Sequence, residues 1–181
     1  MSLSFDTQWQ SAWRPEYVGT LTFIVRDDEV LLIEKKTGHG AGKINAPGGK
    51  LEPGETPAAC AVREVQEEVG LTPLLEPCAI ELRFVEQDGP QWLGFAFVAR
   101  DFTGTLTETR EALPFWCSLD TIPYPRMWPD DAIWLPRVLA HTSPSKPLVA
   151  NFLFARGRLL AHEFVDAASV VTSIAGASES R

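Results

Sequence analysis

The segment at residues 49–71, a glycine-rich loop leading into a short acidic helix, constrains this 181-residue chain more than any other. Thr56 and Pro57 are typical of a helix N-cap followed by proline in the first turn. Gly70 is typical of a helix end, because glycine tolerates the left-handed conformation found there. Hydrophobic residues recur at helical spacing between these signals. The segment therefore predicts a helix over residues 58–69.

This predicted helix has two unlike faces. At about 100° per residue, Val62, Val65 and Val69 fall close to Ala58. Three carboxylates fall on the opposite side, at Glu64, Glu67 and Glu68. Like charges on adjacent turns repel one another, and oxygen ligands clustered beside a glycine loop suit Mg²⁺ or Mn²⁺. A metal site is one interpretation of this face, and a solvated acidic surface is the alternative.

The spacing of the whole segment favours the metal site. Nine specified positions fall across its 23 residues, including Gly49, Glu55 and Arg63. Residues 49–71 match the Nudix box, G-x5-E-x7-R-E-U-x-E-E-x-G-U, without a departure, and the resemblance extends loosely over residues 20–165. It implies an α/β (α+β) fold, the Nudix-type α/β/α sandwich with a mixed central sheet. It also implies hydrolysis of a nucleoside diphosphate linked to another group, with Mg²⁺, or Mn²⁺ as an alternative.

The resemblance also assigns roles to residues of the box. The implied metal ligands are the carboxylates of Glu64, Glu67 and Glu68 and the carbonyl oxygen of Gly48 or Gly49. Arg63 and Glu55 are implied to hold those carboxylates in place, since a guanidinium between carboxylates offsets their repulsion. The general base is left open among Glu64, Glu68 and Glu111, which precedes a predicted strand.

Two motifs outside the box resemble the oxidised-purine nucleoside triphosphatases of this family, the 8-oxo-dGTP diphosphatases. They are the glycine loop at 40–50 and the sequence at 127–131. The resemblance implies that Trp128 stacks on the base and that Asn45 adds a hydrogen bond. The other candidate substrate-binding residues are Asp130, Asp131, His39, Lys35 and Phe84. His39 stands where those enzymes carry a phenylalanine against the base, and Lys35 either approaches the phosphates or is a solvated charge.

The adjacent carboxylates of Asp130 and Asp131 suit base recognition on physical grounds. In a partly dry pocket two such groups resist joint ionisation, so one keeps its proton and donates where the other accepts. Such a pair can read the edges of 8-oxo-guanine and 2-hydroxy-adenine. The alternative is that Asp130 caps a helix, Asp131 favours the helix dipole and Trp128 belongs to the core.

The net charge of −8 narrows the class of partner. An acidic chain without a basic run suits polymeric nucleic acid poorly, because that affinity comes largely from neutralising phosphates. A cation at the carboxylates would still allow a small polyphosphate to bind. We therefore expect a small-molecule nucleotide as partner and no polymeric nucleic acid. No apolar stretch approaches the ~20 residues of a membrane span and no signal peptide is evident, which predicts a cytoplasmic protein without a membrane partner.

One domain is expected over residues 18–166, after an N-terminal extension at 1–17 and before a flexible tail at 167–181. A helix is expected to begin near Asp130, with Pro136 delaying or kinking it. Predicted strands cover 21–25, 30–33, 80–85, 93–98, 115–119, 151–155 and 159–165. The oligomeric state is left open.

These features predict hydrolysis of an oxidised purine nucleoside triphosphate to the monophosphate and pyrophosphate, as in nucleotide-pool sanitation. Two alternatives remain at this point. One is a Nudix hydrolase of another substrate, such as ADP-ribose or a dinucleoside polyphosphate. The other is a nucleotide-sensing module without turnover, although a pure binder has no need for three unpaired carboxylates.

Overall fold

The computed structural model describes residues 13–87, 89–140 and 146–165. The predicted tail at 167–181 and most of the predicted extension at 1–17 lie outside the described residues. Within them the strands are β1 Tyr17–Arg26, β2 Glu29–Lys35, β3 Ile44–Asn45, β4 Leu71–Leu75, β5 Ile80–Glu86, β6 Trp92–Gly104, β7 Ala112–Ser118, β8 Leu148–Ala155 and β9 Arg158–Val165. The α-helices are α1 Pro57–Val69 and α2 Asp131–Ala140. Two short 3-10 turns, Leu119–Thr121 and Tyr124–Arg126, lead into α2.

The strands form one mixed sheet in the order β3-β2-β1-β6-β5-β8-β9. The pairs β1–β6 and β5–β8 are parallel, whereas β1–β2, β5–β6 and β8–β9 are antiparallel. β4 pairs with the distal half of β6, and β7 pairs with β2. This mixed sheet confirms the predicted fold class.

Alternation along the strands divides the core between the two faces of the sheet. Phe23 joins the cluster that packs on Trp134 of α2. The next residue, Ile24, points to the other face and joins the cluster that packs on Val65 and Val69 of α1. One helix therefore covers each face, as an α/β/α sandwich requires.

Helix α1 begins and ends where its sequence predicts. The Thr56 hydroxyl accepts a hydrogen bond from the Ala59 N–H at 3.2 Å. Gly70 adopts a φ of 74° at the other end, and its N–H donates to the Gln66 carbonyl. Each cap satisfies a backbone group that the helix itself leaves without a partner.

The buried face of α1 differs from the predicted one. Ala58 is exposed and Val62 is only half-buried, whereas Cys60 and Ala61 are buried beside Val65. The prediction considered only packing against the sheet. The glycine loop before the helix covers a second side of it, so the buried sector is rotated away from Ala58.

Several predicted boundaries also change. Strand β7 begins at Ala112 and ends at Ser118, so Leu119 belongs to a 3-10 turn. The strands β3 and β4 were not predicted, although the remaining predicted strands are present. Pro136 lies inside α2, which begins at Asp131 as one regular segment. Neither described helix has both the length and the apolar character needed to cross a membrane.

Candidate active site

A single cleft of about 650 Å³ lies where the glycine loop, helix α1, strands β5 and β6 and the start of α2 meet. Its size is ordinary for a small-molecule site. The predicted site residues that line it are Lys35, His39, Asn45, Gly48, Gly49, Glu64, Glu68, Phe84, Glu111, Trp128, Asp130 and Asp131. The predicted residues outside its lining are Glu55, Arg63 and Glu67. The structure thus brings both groups of candidates, from the box and from outside it, to one cavity.

The glycine loop passes between strand β1 and helix α1 at close range. The Thr20 N–H donates to the Gly49 carbonyl at 2.8 Å. A Cβ atom at Gly48 would lie 2.0 Å from the Thr20 carbonyl oxygen, and one at Gly49 would lie 2.3 Å from Glu64 Oε1. Glycine at position 48 is therefore a steric requirement of this approach, whereas a side chain at position 49 would displace the Glu64 carboxylate.

Arg63 organises the carboxylates of the box. Its Nε and Nη2 atoms donate to the two oxygens of Glu55 at 2.8 and 2.9 Å. Its Nη1 atom donates to Glu64 at 2.8 Å and to Glu67 at 3.1 Å. The guanidinium hydrogen bonds lower the pKa of Glu55 to about 2, and the same contacts raise the pKa of Arg63. Glu64 is thereby held at the cleft by a residue that does not line it.

Glu68 has a buried carboxyl group beside the same loop, with a side chain only 2% exposed. Its Oε2 accepts the Gly48 N–H at 2.9 Å, and its Oε1 pairs with Lys35 Nζ at 3.2 Å. Burial raises the pKa of Glu68, while Lys35 and the Gly48 N–H oppose that shift. Lys35 therefore sits on a box carboxylate at the floor of the cleft.

The donor chemistry at this end of the cleft fits a hard divalent cation. Glu64 and Glu68 supply carboxylate oxygens. The carbonyls of Pro47 and Gly49 accept hydrogen bonds from β1, so we expect the Gly48 carbonyl between them to face away from β1, on the side where the Gly48 N–H reaches Glu68. Glu67 differs, because its side chain is 61% exposed and outside the cleft lining.

The carboxylates currently pair with cationic side chains. Across the part of the chain that the structure describes, no three His, Cys, Asp or Glu side chains converge closely enough to hold a metal ion. Glu64 pairs with Arg63, and Glu68 pairs with Lys35. A cation binding here would exchange these contacts for its own. Glu111 also lines the cleft, in the bend that precedes β7.

The other end of the cleft holds two buried carboxylates. Asp130 accepts a hydrogen bond from the Trp134 indole N–H at 2.9 Å, and Asp131 accepts one from the Trp128 backbone N–H at 2.9 Å. The Asp130 carboxylate thus pairs with an indole of α2, whereas Asp131 lies in the first turn of the helix, where the helix-dipole alternative places it. Burial raises the pKa of Asp130 to about 6. Burial and the charge of Asp130 raise the pKa of Asp131 well above its usual value.

Polar and aromatic groups surround this pair. The Asn45 Oδ1 atom accepts the Ala46 N–H at 2.9 Å, which leaves the amide nitrogen as the donor end. Phe84 lines the cleft from β5, with its ring centroid 5.5 Å from that of Phe152. Trp128 is half-buried, and its ring centroid lies 5.1 Å from that of His39. The base-binding candidates therefore line one part of the cleft together with Asp130 and Asp131.

Trp92 and Lys50 are among the lining residues that were not predicted from the sequence. Trp92 starts β6 and stands opposite Phe84 in the β5–β6 pairing, so both rings face the cleft. Lys50 occupies an unspecified position directly after the first box glycine, Gly49, and its Nζ atom lies 4.9 Å from the Trp92 ring centroid. The face of the sheet to which Trp92 points depends on the register between β5 and β6. The sequence of the turn between these strands does not fix that register.

The chain is similar in sequence to proteins of one known family. The NUDIX domain matches residues 15–138. An oxidized purine nucleoside triphosphate hydrolase from Mus musculus is 40% identical over 123 residues, which are 66% of this chain and 78% of that protein. A human 8-oxo-dGDP phosphatase is 41% identical over 97 residues, which are 53% of this chain and only 28% of that protein.

Solved structures agree with these sequence matches. The MutT protein from Bacillus halodurans has a TM-score of 0.71 and 26% identity, covering 82% of this chain and 97% of that chain. A MutT NUDIX hydrolase from Burkholderia pseudomallei has a TM-score of 0.56 and 29% identity, covering 61% of this chain and 88% of that chain. With its box, its sandwich fold and these matches, the chain belongs to the Nudix hydrolase family.

Proposed function

We propose that this Nudix hydrolase converts an oxidised purine nucleoside triphosphate, such as 8-oxo-dGTP or 2-hydroxy-dATP, to the monophosphate and pyrophosphate with Mg²⁺. One observation carries the proposal. The box carboxylates Glu64 and Glu68 and the buried pair Asp130 and Asp131 line the same cleft. A nucleotide that spans it presents its phosphates to the first pair and its base to the second. The mouse relative that is named as an oxidized purine nucleoside triphosphate hydrolase supports the same substrate class.

Residues at the phosphate end would hold the cation and position the reacting groups. Glu64, Glu68 and the Gly48 carbonyl are the proposed ligands, with Glu67 joining from the rim by a side-chain rotation. When bound, Mg²⁺ supplies charge neutralisation and polarises a phosphoryl oxygen. Lys35, released from Glu68, is then free to contact phosphate oxygens. Glu64, Glu68 and Glu111 remain the three candidates for the general base.

Residues at the base end would discriminate between purines. Because burial and mutual repulsion keep one proton on the pair of Asp130 and Asp131, one carboxyl donates while the other accepts. Moving that proton from one carboxyl to the other changes which pattern of donors and acceptors on a purine base the pair can bind. Stacking on Trp128 adds affinity of ~1–3 kcal/mol that depends little on base identity. Asn45 contributes a further amide donor.

The experiment that tests this function compares kcat/KM for 8-oxo-dGTP, 2-hydroxy-dATP, dGTP, 8-oxo-dGDP and ADP-ribose with Mg²⁺. We expect the oxidised triphosphates to exceed dGTP by at least tenfold. Equal efficiency on dGTP would reject the sanitation function, and a preference for ADP-ribose would favour the other Nudix activity. A wild-type enzyme that binds 8-oxo-dGTP without releasing pyrophosphate would favour the sensing module.

The role of the acidic pair is tested by the same panel. Asp130→Asn and Asp131→Asn each replace one carboxyl of the pair by an amide with a permanent N–H donor, so the proton can no longer move between two carboxyls. We expect both changes to alter the ratio of kcat/KM between 8-oxo-dGTP and 2-hydroxy-dATP more than the turnover of the better substrate. An unaltered ratio would assign the pair a purely structural role.

A further inference from the structure

His39 lies in a stack of three aromatic rings at the mouth of the cleft. Its ring centroid is 5.1 Å from that of Trp128 and 5.3 Å from that of Trp92, with interplanar angles of 16° and 19°. One face of an imidazole is too small to hold two indoles side by side. The arrangement that fits both contacts best places the two tryptophans on opposite faces of His39, with a space about one planar ring thick between them.

The two tryptophans are fixed by the fold. Trp92 is in β6 and pairs with Tyr17 of β1, whose ring centroid lies 4.6 Å from its own. Lys50 packs over both of these rings. On the other side, the Trp128 backbone is tied to Asp131, and Lys43 Nζ lies 4.8 Å from the Trp128 ring centroid. Neither indole can shift without disturbing these contacts.

His39, in contrast to the two tryptophans, lies on a loop between β2 and β3. Its neighbours Gly38 and Gly40 have φ values of 72° and 83°, and a side chain at Gly38 would meet no atom within 4 Å. His39 is an exposed residue, although it lines the cleft. Burial and the charges of Lys50 and Lys35 lower its pKa, so the neutral ring, which stacks without desolvating a charge, is favoured. His39 lies on a loop outside the strands, so its displacement would leave the pairing of the sheet intact.

We propose that Trp92 and Trp128 are the two walls of a slot for the purine base, and that His39 fills this slot until the base displaces it. This inference rests on the proposed function, because it takes the ligand to be a purine nucleotide. A base stacked on both indoles would gain a second aromatic face from Trp92. His39 would compete with the base and weaken its binding.

The resemblance to oxidised-purine triphosphatases implies a different role, in which His39 packs directly on the base. The two roles make opposite predictions for the removal of the imidazole. If His39 fills the slot, its loss improves base binding. If His39 packs on the base, its loss weakens base binding.

Calorimetric titration with 8-oxo-dGMP, without metal so that no turnover occurs, measures the dissociation constant directly. We expect His39→Ala to lower the Kd of 8-oxo-dGMP about three- to tenfold. Trp92→Leu should raise it about tenfold or more, with Trp92→Phe in between, because the loss of one stacking face is partial in phenylalanine. Pyrophosphate, which has no base, should bind all of these variants equally.

Matched variants control for the loss of a ring. His162→Ala removes an imidazole that packs on Phe152 away from the cleft, and Trp116→Leu removes an indole that packs on Phe102. Both should leave the Kd of 8-oxo-dGMP unchanged. Thermal melting verifies that each variant is folded, and Trp92→Phe keeps the test available if Trp92→Leu does not fold.

Two results would overturn the inference while the proposed function stands. A higher Kd in His39→Ala would mean that the imidazole packs on the base, and an unchanged Kd in both Trp92 variants would mean that Trp92 is not a wall. Failure of the wild type to bind 8-oxo-dGMP, together with failure to hydrolyse the oxidised triphosphates, would reject the substrate class and the slot together. Turnover of those triphosphates with either of the first two results would reject the slot alone.

Discussion

The Glu68 carboxylate accepts a hydrogen bond from the Gly48 N–H, with 2.9 Å between Oε2 and the backbone nitrogen. This bond joins the box helix to the glycine loop across 20 residues of sequence. The other carboxylate oxygen of Glu68, Oε1, pairs with Lys35, so both oxygens of this buried carboxylate have a donor. Without these two partners burial would favour the protonated acid, which is a poor metal ligand. The loop and Lys35 thus keep Glu68 ready to bind a cation.

Replacing Glu68 by glutamine removes the charge while nearly preserving the shape of the side chain. We expect Glu68→Gln to lower Mg²⁺-dependent release of pyrophosphate by at least 100-fold, because a neutral amide oxygen is a weak ligand for a divalent cation. Initial rates at saturating Mg²⁺ and 8-oxo-dGTP measure this loss, and thermal melting shows whether the variant is folded.

An exposed carboxylate provides the control for Glu68→Gln. Glu29 pairs with Arg26 at the β1–β2 turn, away from the cleft, so Glu29→Gln should keep its full rate. Melting with and without Mg²⁺ adds a second reading, since a ligand stabilises only a protein that binds it. Mg²⁺ should raise the Tm of the wild type and of Glu29→Gln, but raise that of Glu68→Gln much less. Full turnover in Glu68→Gln would remove Glu68 from the metal site.

Arg63 offers a test of positioning, since it lies outside the cleft lining. Lysine carries the same charge but cannot form the two-point contact with Glu55 while also reaching Glu64. We expect Arg63→Lys to lower kcat about 10- to 100-fold and to leave KM within a factor of three, because Glu64 loses its fixed orientation. Steady-state kinetics separate the two parameters.

The matched control is Arg26→Lys. Arg26 also pairs with a carboxylate and packs 4.0 Å from the Trp116 ring centroid, but it does so outside the cleft. Unchanged kcat in this variant would show that the effect at Arg63 is local. An Arg63→Lys enzyme with normal kcat would contradict a positioning role.

Local chemistry explains why helix α1 was predictable from sequence. The Thr56 cap and the Gly70 end depend on residues within four positions, so their signals are complete in the sequence. Strands β3 and β4 were not predicted, because β3 has two residues and β4 contains Pro73. Each exists through pairing with a distant strand, β3 with β2 and β4 with β6. Propensity carries little information about such edges.

The candidate site, too, was predictable where nearby residues determine it and not where distant parts of the chain do. The spacing within the box places Glu64 and Glu68 near one another on a helix, so their shared cleft follows from helical geometry. The burial of Glu68 does not follow, because it depends on the loop at Gly48 covering that side of α1. Trp92 was missed for a similar reason, since its direction depends on the register of β5 and β6.

The close approach at Gly48 is open to a steric test. A methyl group there would lie 2.0 Å from the Thr20 carbonyl oxygen and 3.0 Å from the Leu21 Cα atom, both of which belong to a central strand. Gly48→Ala should therefore destabilise the fold by about 2–4 kcal/mol and displace Glu68 from its donor. Chemical denaturation measures the free energy of unfolding.

Gly54→Ala separates steric overlap from backbone strain. Gly54 has a φ of 80° and open space around it, so alanine there should cost only about 1–2 kcal/mol of conformational strain. The rate should also fall in Gly48→Ala alone, because only this change moves the site. Equal losses of stability and rate in the two variants would contradict a special role for the approach at Gly48.

The buried carboxyl of Asp130 makes the stability of the protein depend on pH in an unusual direction. Burial raises its pKa in the folded state to about 6, from an ordinary value of 3.8 in the unfolded chain. Below pH 3.8 both states carry the proton and the stabilisation is complete. Between pH 4 and 6 the unfolded state releases the proton first, so folding becomes less favourable as pH rises. Asp130→Asn does not titrate and should gain stability relative to wild type over this interval, by at most about 3 kcal/mol.

Urea denaturation at pH 4, 5, 6 and 7 measures this difference. Other carboxyls titrate over the same range, but they do so in both proteins and cancel when the free energies of unfolding are subtracted. Asp131 is the exception, because the charge of Asp130 helps to raise its pKa. The variant lacks that charge, so the contribution of Asp131 adds to the difference once Asp130 ionises in the wild type. Asp120→Asn, which removes an exposed carboxylate at a 3-10 turn, is the matched control variant. A difference between Asp130→Asn and wild type that does not change with pH would mean that burial does not raise the pKa of Asp130. The proton proposed for base recognition would then stay on Asp131 and would not exchange between the two carboxyls.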